Sequence, residues 1–371
     1  MRVPFVSDSA PGEPTTECIF HPGSKEVLMQ ELPGFPQPMV NSLERNSPVR
    51  VGEAPGKGLG VFASRVIEAG ELIFSERPLL VAAQWLPTSS LDQFEDILAV
   101  GVKQIGDEDK AAYMALMNSH LEDGSGPLTG IFRTNGLGIK GLRPDLKGVT
   151  AMCTGVCDTI SRINHRRSGM SPRFRSIFAV RDLAADDELT HQYIPIDGST
   201  AERNELLKPY DFVCTCRACK DPESDARRAD LKQSNSKPAS PSWLSDPPGS
   251  EALIFEECRR QVEIIEREGM ESMSRYWDVL SAGMAVCVVM SDAQSASEWA
   301  RKLMTIGWVD MNQEVMELFV DAQSPEYQAH PMWGARLKIG TGKSEEDVLK
   351  DVMKDMVAQF EALGVHCYSF D

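Results

Sequence analysis

The chain has 371 residues, enough for two or three domains, and its 42% hydrophobic and 25% charged residues are ordinary for a soluble globular protein. No apolar run approaches the ~20 residues of a membrane helix, and the start "MRVPFVSDSAPGEPTTE" lacks the basic and apolar regions of a secretory signal. A formal net charge of −17 argues against direct nucleic-acid binding and suits a basic protein or peptide partner; the plainer reading is a solvated acidic surface.

Residues 1–46 are rich in Pro, Gly, Ser and Glu and read as an irregular segment. From 47 to 200 short apolar runs alternate with glycine turns, as in "VRVGEAPGKGLGVFAS" and "SIFAVRDLAADDELTHQYI", which predicts strands. A helical insertion is expected at about 84–130, where Leu91, Phe94, Ile97 and Leu98 fall at helical spacing. Residues 201–222 end in "YDFVCTCRACKDP", and the polar, Pro/Ser-rich stretch 223–249 reads as a linker.

Residues 250–371 read as a helical domain with 22 acidic against 11 basic residues from 251 onward, a net −11. Apolar faces run through 252–266 and 296–306. The pattern is plainest at 344–364, where Ser344 is placed to cap, with Asp347 at the capping-box position. Val348, Val352, Met356 and Phe360 share one face there, and Gly364 ends the helix.

Nine cysteines without regular spacing suit a reducing, intracellular compartment, nucleus or cytoplasm. Cys214, Cys216 and Cys219 stand at C-x-C-x-x-C spacing, three thiolates of the four that a closed structural zinc site needs. Four further islands stand out in chain order: "GKGLGVF" from Gly56, "FRTNGLGI" from Phe132, "SRINH" from Ser161 and "DELTHQY" from Asp187. Each alone has a plainer reading: Asn164 and His165 as a buried turn, Tyr193 as a strand aromatic, Phe212 as core packing.

In this order and combination, over roughly 48–222, the islands and the cysteine cluster resemble the SET-domain lysine methyltransferases, and within them the SMYD-like and fungal SET proteins with a post-SET cysteine segment. The sequence shows no MYND finger, since no cysteine lies between Cys18 and Cys153. The resemblance implies an α+β fold of small twisted sheets with a pseudoknot, a rare exception to the rule against threading. The helical domain follows it.

The resemblance further implies S-adenosylmethionine (AdoMet) as cofactor and transfer of its methyl to a lysine of a basic protein, histones included. Lys57, Gly58, Gly60, Asn135, Asn164 and His165 would border the cofactor, Tyr193 would be the catalytic tyrosine, and Tyr210 and Phe212 would wall the channel. Cys214, Cys216 and Cys219 would bind a structural zinc.

The family's fourth zinc ligand is a cysteine in an NHSCxPN motif, whereas this chain reads "NHRRSGMSPR", with Arg166 and Arg167 where Ser and Cys belong. Three readings stand: Cys157 or Cys153 substitutes; the three thiolates hold zinc more weakly with water or a distant ligand; or the motif is degenerate, through evolution or a misread gene. The altered motif supports a rival expectation, a catalytically weak or inactive SET protein that acts as an interaction module.

Overall fold

The computed structural model of the protein describes residues 2–3, 15–21, 23–24, 26, 47–83, 86, 88–139, 152–165, 170–173, 176–235, 246–247, 249–306, 317–344, 346–352 and 354. The chain forms two compact units, Met1–Pro222 and Glu223–Asp371.

The first unit is built from three small sheets. One has five strands in the order β1 (Arg2–Val3), β2 (Thr16–Ile19), β6 (Leu80–Ala83), β8 (Cys153–Val156), β7 (Leu137–Ile139). A second has β10 (Met170–Arg173), β11 (Ser176–Ala179) and β5 (Leu72–Ser75). The third has β3 (Val49–Ala54), β4 (Gly58–Ala63), β12 (Glu188–His191) and β9 (Asn164–His165).

Strand alternation decides what each face buries. In β6, Leu80 and Ala82 join one core with Leu98, Tyr113 and Phe132, while Val81 and Ala83 join another with Val3, Cys18 and Cys153. A further core of Val61, Ile67, Phe74, Cys157, Ile160, Ile163, Ile177 and Leu189 draws on strands of the other two sheets.

Three helices, α1 (Leu91–Val102), α2 (Asp107–Met114) and α3 (Pro127–Asn135), lie between β6 and β7. Phe94 and Phe132 meet edge to face at 5.6 Å between α1 and α3. Gly126, before α3, offers no side-chain cap. Glu95 of α1 supplies one, accepting from the Leu128 and Thr129 N–H groups at 3.0 and 2.7 Å. This matters for function because α3 ends at Asn135.

Before the cysteine segment, Ser199 and Glu202 make a capping box that starts α4 (Thr200–Leu207). The cysteine segment ends in a single turn, α5 (Arg217–Lys220).

The second unit is helical. The stretch read as linker, 223–249, instead contains α6 (Ser224–Gln233), and 236–245 and 248 lie outside the described residues. The helix forms despite its polar composition because Arg227 and Arg228 pair with the buried Glu268 at 2.7 and 3.1 Å, and Ser224 donates to the same carboxylate at 2.6 Å. Glu268 ends α7 (Ser250–Glu268), which is followed by α8 (Ser274–Val289) and α9 (Ala293–Met304). Ala296, Trp299, Ala300 and Leu303 give α9 one buried face. Ser344 accepts from the Asp347 N–H at 3.1 Å, and Val348 and Val352 are buried with Val286 and Val289. Met356, Phe360 and Gly364 lie outside the described residues.

Removing the Glu95 carboxylate should expose the start of α3. Glu95→Ala is expected to lower stability by about 1–2 kcal/mol in urea unfolding, and an unchanged midpoint would show that the cap contributes nothing.

Candidate active site

The β3–β4 hairpin turns at Gly56 and Gly58, both at positive φ (74° and 78°), conformations that favour glycine. The Lys57 N–H closes the turn on the Ala54 carbonyl at 2.9 Å. The turn forms one rim of a cavity of about 930 Å³, within the range of small-molecule sites. Lys57, Gly58, Asn135, Asn164, His165, Tyr193, Tyr210 and Phe212 all line it.

Gly60 does not line the cavity. A Cβ there would come to 3.0 Å from Ala54 Cβ, 3.1 Å from Asn164 Nδ2 and 3.3 Å from Glu188 Oε1. Its small size serves packing: it lets β9 and β12 close against β4.

The two strand residues of β9 are set in parallel beside β12, Asn164 opposite Thr190 and His165 opposite His191. They follow a 3-10 turn, Ile160–Arg162, whose approach is held by Glu76. The Glu76 carboxylate accepts from the N–H groups of Asp158, Thr159 and Ile160 at 2.8–3.0 Å. Burial nonetheless pushes its pKa up to about 7, against the effect of those bonds.

Both asparagines spend their amide hydrogens on the protein. Asn164 Nδ2 donates to Leu59 O at 2.9 Å and Glu188 Oε1 at 3.0 Å. Asn135 Nδ2 donates to Met117 O at 2.7 Å and Ile131 O at 2.8 Å. Each side chain therefore has its acceptor oxygen left to offer, which suits a ligand rich in donors or positive charge. Glu188, which the sequence reading passed over, is shared: its other oxygen meets Lys57 Nζ at 2.6 Å.

Tyr193 sits among aromatic rings: His191 at 4.9 Å, Tyr210 at 5.0 Å, His165 at 5.3 Å and Phe212 at 6.4 Å between centroids. Its hydroxyl donates to the Ile163 carbonyl at 2.9 Å. Burial first, then Tyr210 and Glu188, raise its pKa, so the phenol stays protonated. The Tyr193 N–H donates to His165 Nδ1 at 3.0 Å, which places the proton of the neutral imidazole on Nε2. Burial, with His191 next, pushes His165 down to about 4, and burial does the same to His191.

Beyond Tyr210, Asp211 takes the left-handed conformation and the chain turns into the cysteine segment. The sulfurs of Cys214, Cys216 and Cys219 lie within 4.8 Å of one another, and Cys216 and Cys219 are 3.7 Å apart. Tetrahedral zinc with bonds of about 2.3 Å sets its sulfurs about 3.8 Å apart, so the group fits a metal. Hydrogen bonds from Cys214 and Cys219 favour the thiolate at Cys216, and the hydrogen bonds Cys214 shares with Cys216 and Cys219, with burial next, raise the pKa of Cys214.

Cys157 and Cys153 are buried in two apolar cores apart from this cluster. Neither belongs to the three-sulfur group, so substitution by an upstream cysteine is not seen among the described residues. Arg166 and Arg167 lie outside the described residues.

No family model matches the chain. It is 29% identical to the histone-lysine N-methyltransferase set5 of Schizosaccharomyces pombe over 267 residues, 68% of this chain and 76% of that protein. It is 26% identical to the rat and 25% identical to the human N-lysine methyltransferase SMYD2, each over 151 residues. These matches cover 34% of this chain and 33% of each relative. These similarities support a SET-domain methyltransferase family for the chain. The mixed α/β unit of small sheets followed by helices is the fold expected of such a SET protein with a helical extension. Among the described residues, no helix is long and apolar enough to cross a membrane.

The buried histidines of this unit give it a pH signature. Both have folded pKa values depressed from 6.5 to about 4. Their contribution to stability is therefore complete above about pH 6.5 and is lost as pH falls toward 4. Glu76, raised from 4.5 to about 7, acts oppositely: its contribution is complete below about 4.5 and is lost as pH rises toward 7. The informative quantity is thus a difference between variants. Between pH 7 and pH 5, His191→Leu should lose about 1–2 kcal/mol less than wild type in urea unfolding. Equal losses would show that His191 does not titrate as its burial demands.

Proposed function

We propose that the chain is an AdoMet-dependent protein-lysine N-methyltransferase acting on a basic protein or peptide. The observation that carries this reading is the pair of asparagines. Asn135 and Asn164 line one cavity with Tyr193, and each has only its acceptor oxygen to offer. AdoMet supplies a methyl group on a positively charged sulfonium, and its ammonium and adenine amine are hydrogen-bond donors that match those oxygens. Phe212, partly exposed on the cavity wall, offers a ring face for stacking. The names of the relatives, histone-lysine and N-lysine methyltransferases, support a lysine acceptor.

A lysine attacks only as a neutral amine, and deprotonating it at pH 7 takes about 4–5 kcal/mol from its ordinary pKa. The aromatic wall of Tyr193, Tyr210 and Phe212 disfavours an ammonium by excluding water. Tyr193 donates its one hydroxyl proton to Ile163 O, which leaves its oxygen lone pairs to accept from the amine. The residues mainly orient the reactants. Cys214, Cys216 and Cys219 would hold a structural zinc, with no part in the chemistry, and the cysteine segment carries the wall residues Tyr210 and Phe212 with it.

Tyr193→Phe should lower kcat for labelled-methyl transfer to a lysine-rich peptide by on the order of 100-fold, with AdoMet affinity changed only a few-fold. Unchanged turnover would remove Tyr193 from the mechanism. Glu188→Ala should release both the Asn164 amide and Lys57 and weaken AdoMet binding about 10-fold, about the worth of one charge-assisted hydrogen bond. Calorimetry showing wild-type affinity would contradict the positioning role of Glu188. The Arg166–Arg167 pair supports a second reading, a SET protein that binds without catalysis; AdoMet binding with no transfer to any basic protein would select it.

A further inference from the structure

One end of AdoMet is a zwitterion, with a carboxylate and an ammonium on the same carbon. The asparagine oxygens suit the ammonium and repel the carboxylate, so an AdoMet site needs a donor for the acid beside them. Three cationic residues line the cavity, Lys57, Arg162 and Lys220. Lys57 is drawn to Glu188 at 2.6 Å, and Lys220 is exposed on α5, in the cysteine segment. Arg162 stands in the turn that connects the two asparagines. It is two residues before Asn164, and the adjacent Ser161 Oγ lies 3.5 Å from the Asn135 carbonyl oxygen. The sequence reading took Asn164 and His165 from "SRINH" and passed over this arginine.

The Arg162 side chain is held but only partly spent. A guanidinium offers five N–H donors in a planar fork that can bind on two edges. Nε and Nη2 both donate to Asp158 Oδ1, at 3.1 and 2.8 Å, which occupies one edge. The other edge, made by Nη1 and the second hydrogen of Nη2, has no partner among the described residues. The Asp158 side chain is 40% exposed and that of Arg162 is 14% exposed. Water therefore screens the acid more than the fork, and the fork stays attractive to a second anion. Glu76 accepts from the N–H groups of Asp158, Thr159 and Ile160, so the pair stands on a fixed turn.

We propose that Arg162 receives the carboxylate of AdoMet through its second edge, as a two-point contact, and so makes the site selective for an intact amino-acid end. The proposal rests on the AdoMet reading of the cavity. It divides the zwitterion between neighbours: asparagine oxygens take the ammonium, and the guanidinium takes the acid. Arg162 is a binding residue and takes no part in methyl transfer.

The test is calorimetric titration of the full-length chain with AdoMet and with decarboxylated AdoMet. The second ligand keeps the adenine, the sulfonium and the amine and lacks only the carboxylate. Wild type should bind AdoMet about 10- to 100-fold more tightly, the worth of hydrogen bonds between charged groups. Arg162→Gln should bring the two affinities within about 3-fold of each other, by weakening AdoMet and sparing the decarboxylated ligand. A purely structural loss at the turn would weaken both ligands alike and keep their ratio. Arg162→Lys keeps the charge without the fork and should retain only part of the preference.

A preference that survives Arg162→Gln overturns the proposal, and if it then vanishes in Lys57→Met the carboxylate belongs to Lys57. Equal wild-type affinities for the two ligands overturn the proposal and leave the AdoMet reading standing. Binding of neither ligand overturns both. Should Arg162→Gln fail to fold, Arg162→Lys decides: an affinity ratio unchanged from wild type overturns the proposal.

Discussion

The parallel pairing of β9 with β12 is the contact on which the candidate site depends. It is two residues long, Asn164 beside Thr190 and His165 beside His191. Through it, residues from distant parts of the chain share one cavity. Asn164 reaches Leu59 on β4, His165 receives the Tyr193 N–H, and Ile163 receives the Tyr193 hydroxyl. Gly60 is the constraint that permits the pairing, since a side chain there would meet Asn164 and Glu188. Glu76 and Glu95 act one step back, each capping the turn or helix that ends in a cavity residue. The cavity is thus held in part by two carboxylates, Glu76 and Glu95, that do not line it.

The electrostatics divide the site in two. Around Tyr193 the groups are neutral: two histidines held below their ordinary pKa by burial and a phenol held above it. Toward β4 the groups are charged but paired, Lys57 with Glu188 and Arg162 with Asp158. A neutral, aromatic end favours an uncharged amine, while the asparagine oxygens favour a cation. That division suits the proposed methyl transfer from a sulfonium to an amine.

Much of this was legible in the sequence because it rests on motifs. The glycine turn, the Asn-His pair, Tyr193 and the cysteine spacing are local patterns, and eight of the nine residues named for the cofactor and catalysis line the one cavity. What escaped was pairing at long range. Glu188 reads as one acid among several in "ADDELT", and its partner Lys57 is 131 residues away. The stretch 224–233 reads as linker because its residues are polar; the buried Glu268 that makes Arg227 and Arg228 helical core is 40 residues further on. Cys157 escaped for the opposite reason: proximity in sequence to the Asn-His pair suggested a ligand, whereas its side chain faces the apolar core.

The central claim is that the cavity bordered by Asn135, Asn164 and Tyr193 is an AdoMet site, and calorimetric titration of AdoMet into the wild-type full-length chain tests it most directly. The expected result is saturable binding at one site per chain, competed by the demethylated product S-adenosylhomocysteine. Absence of saturable heat and of competition across pH 6–8, where both histidines are neutral, would contradict it.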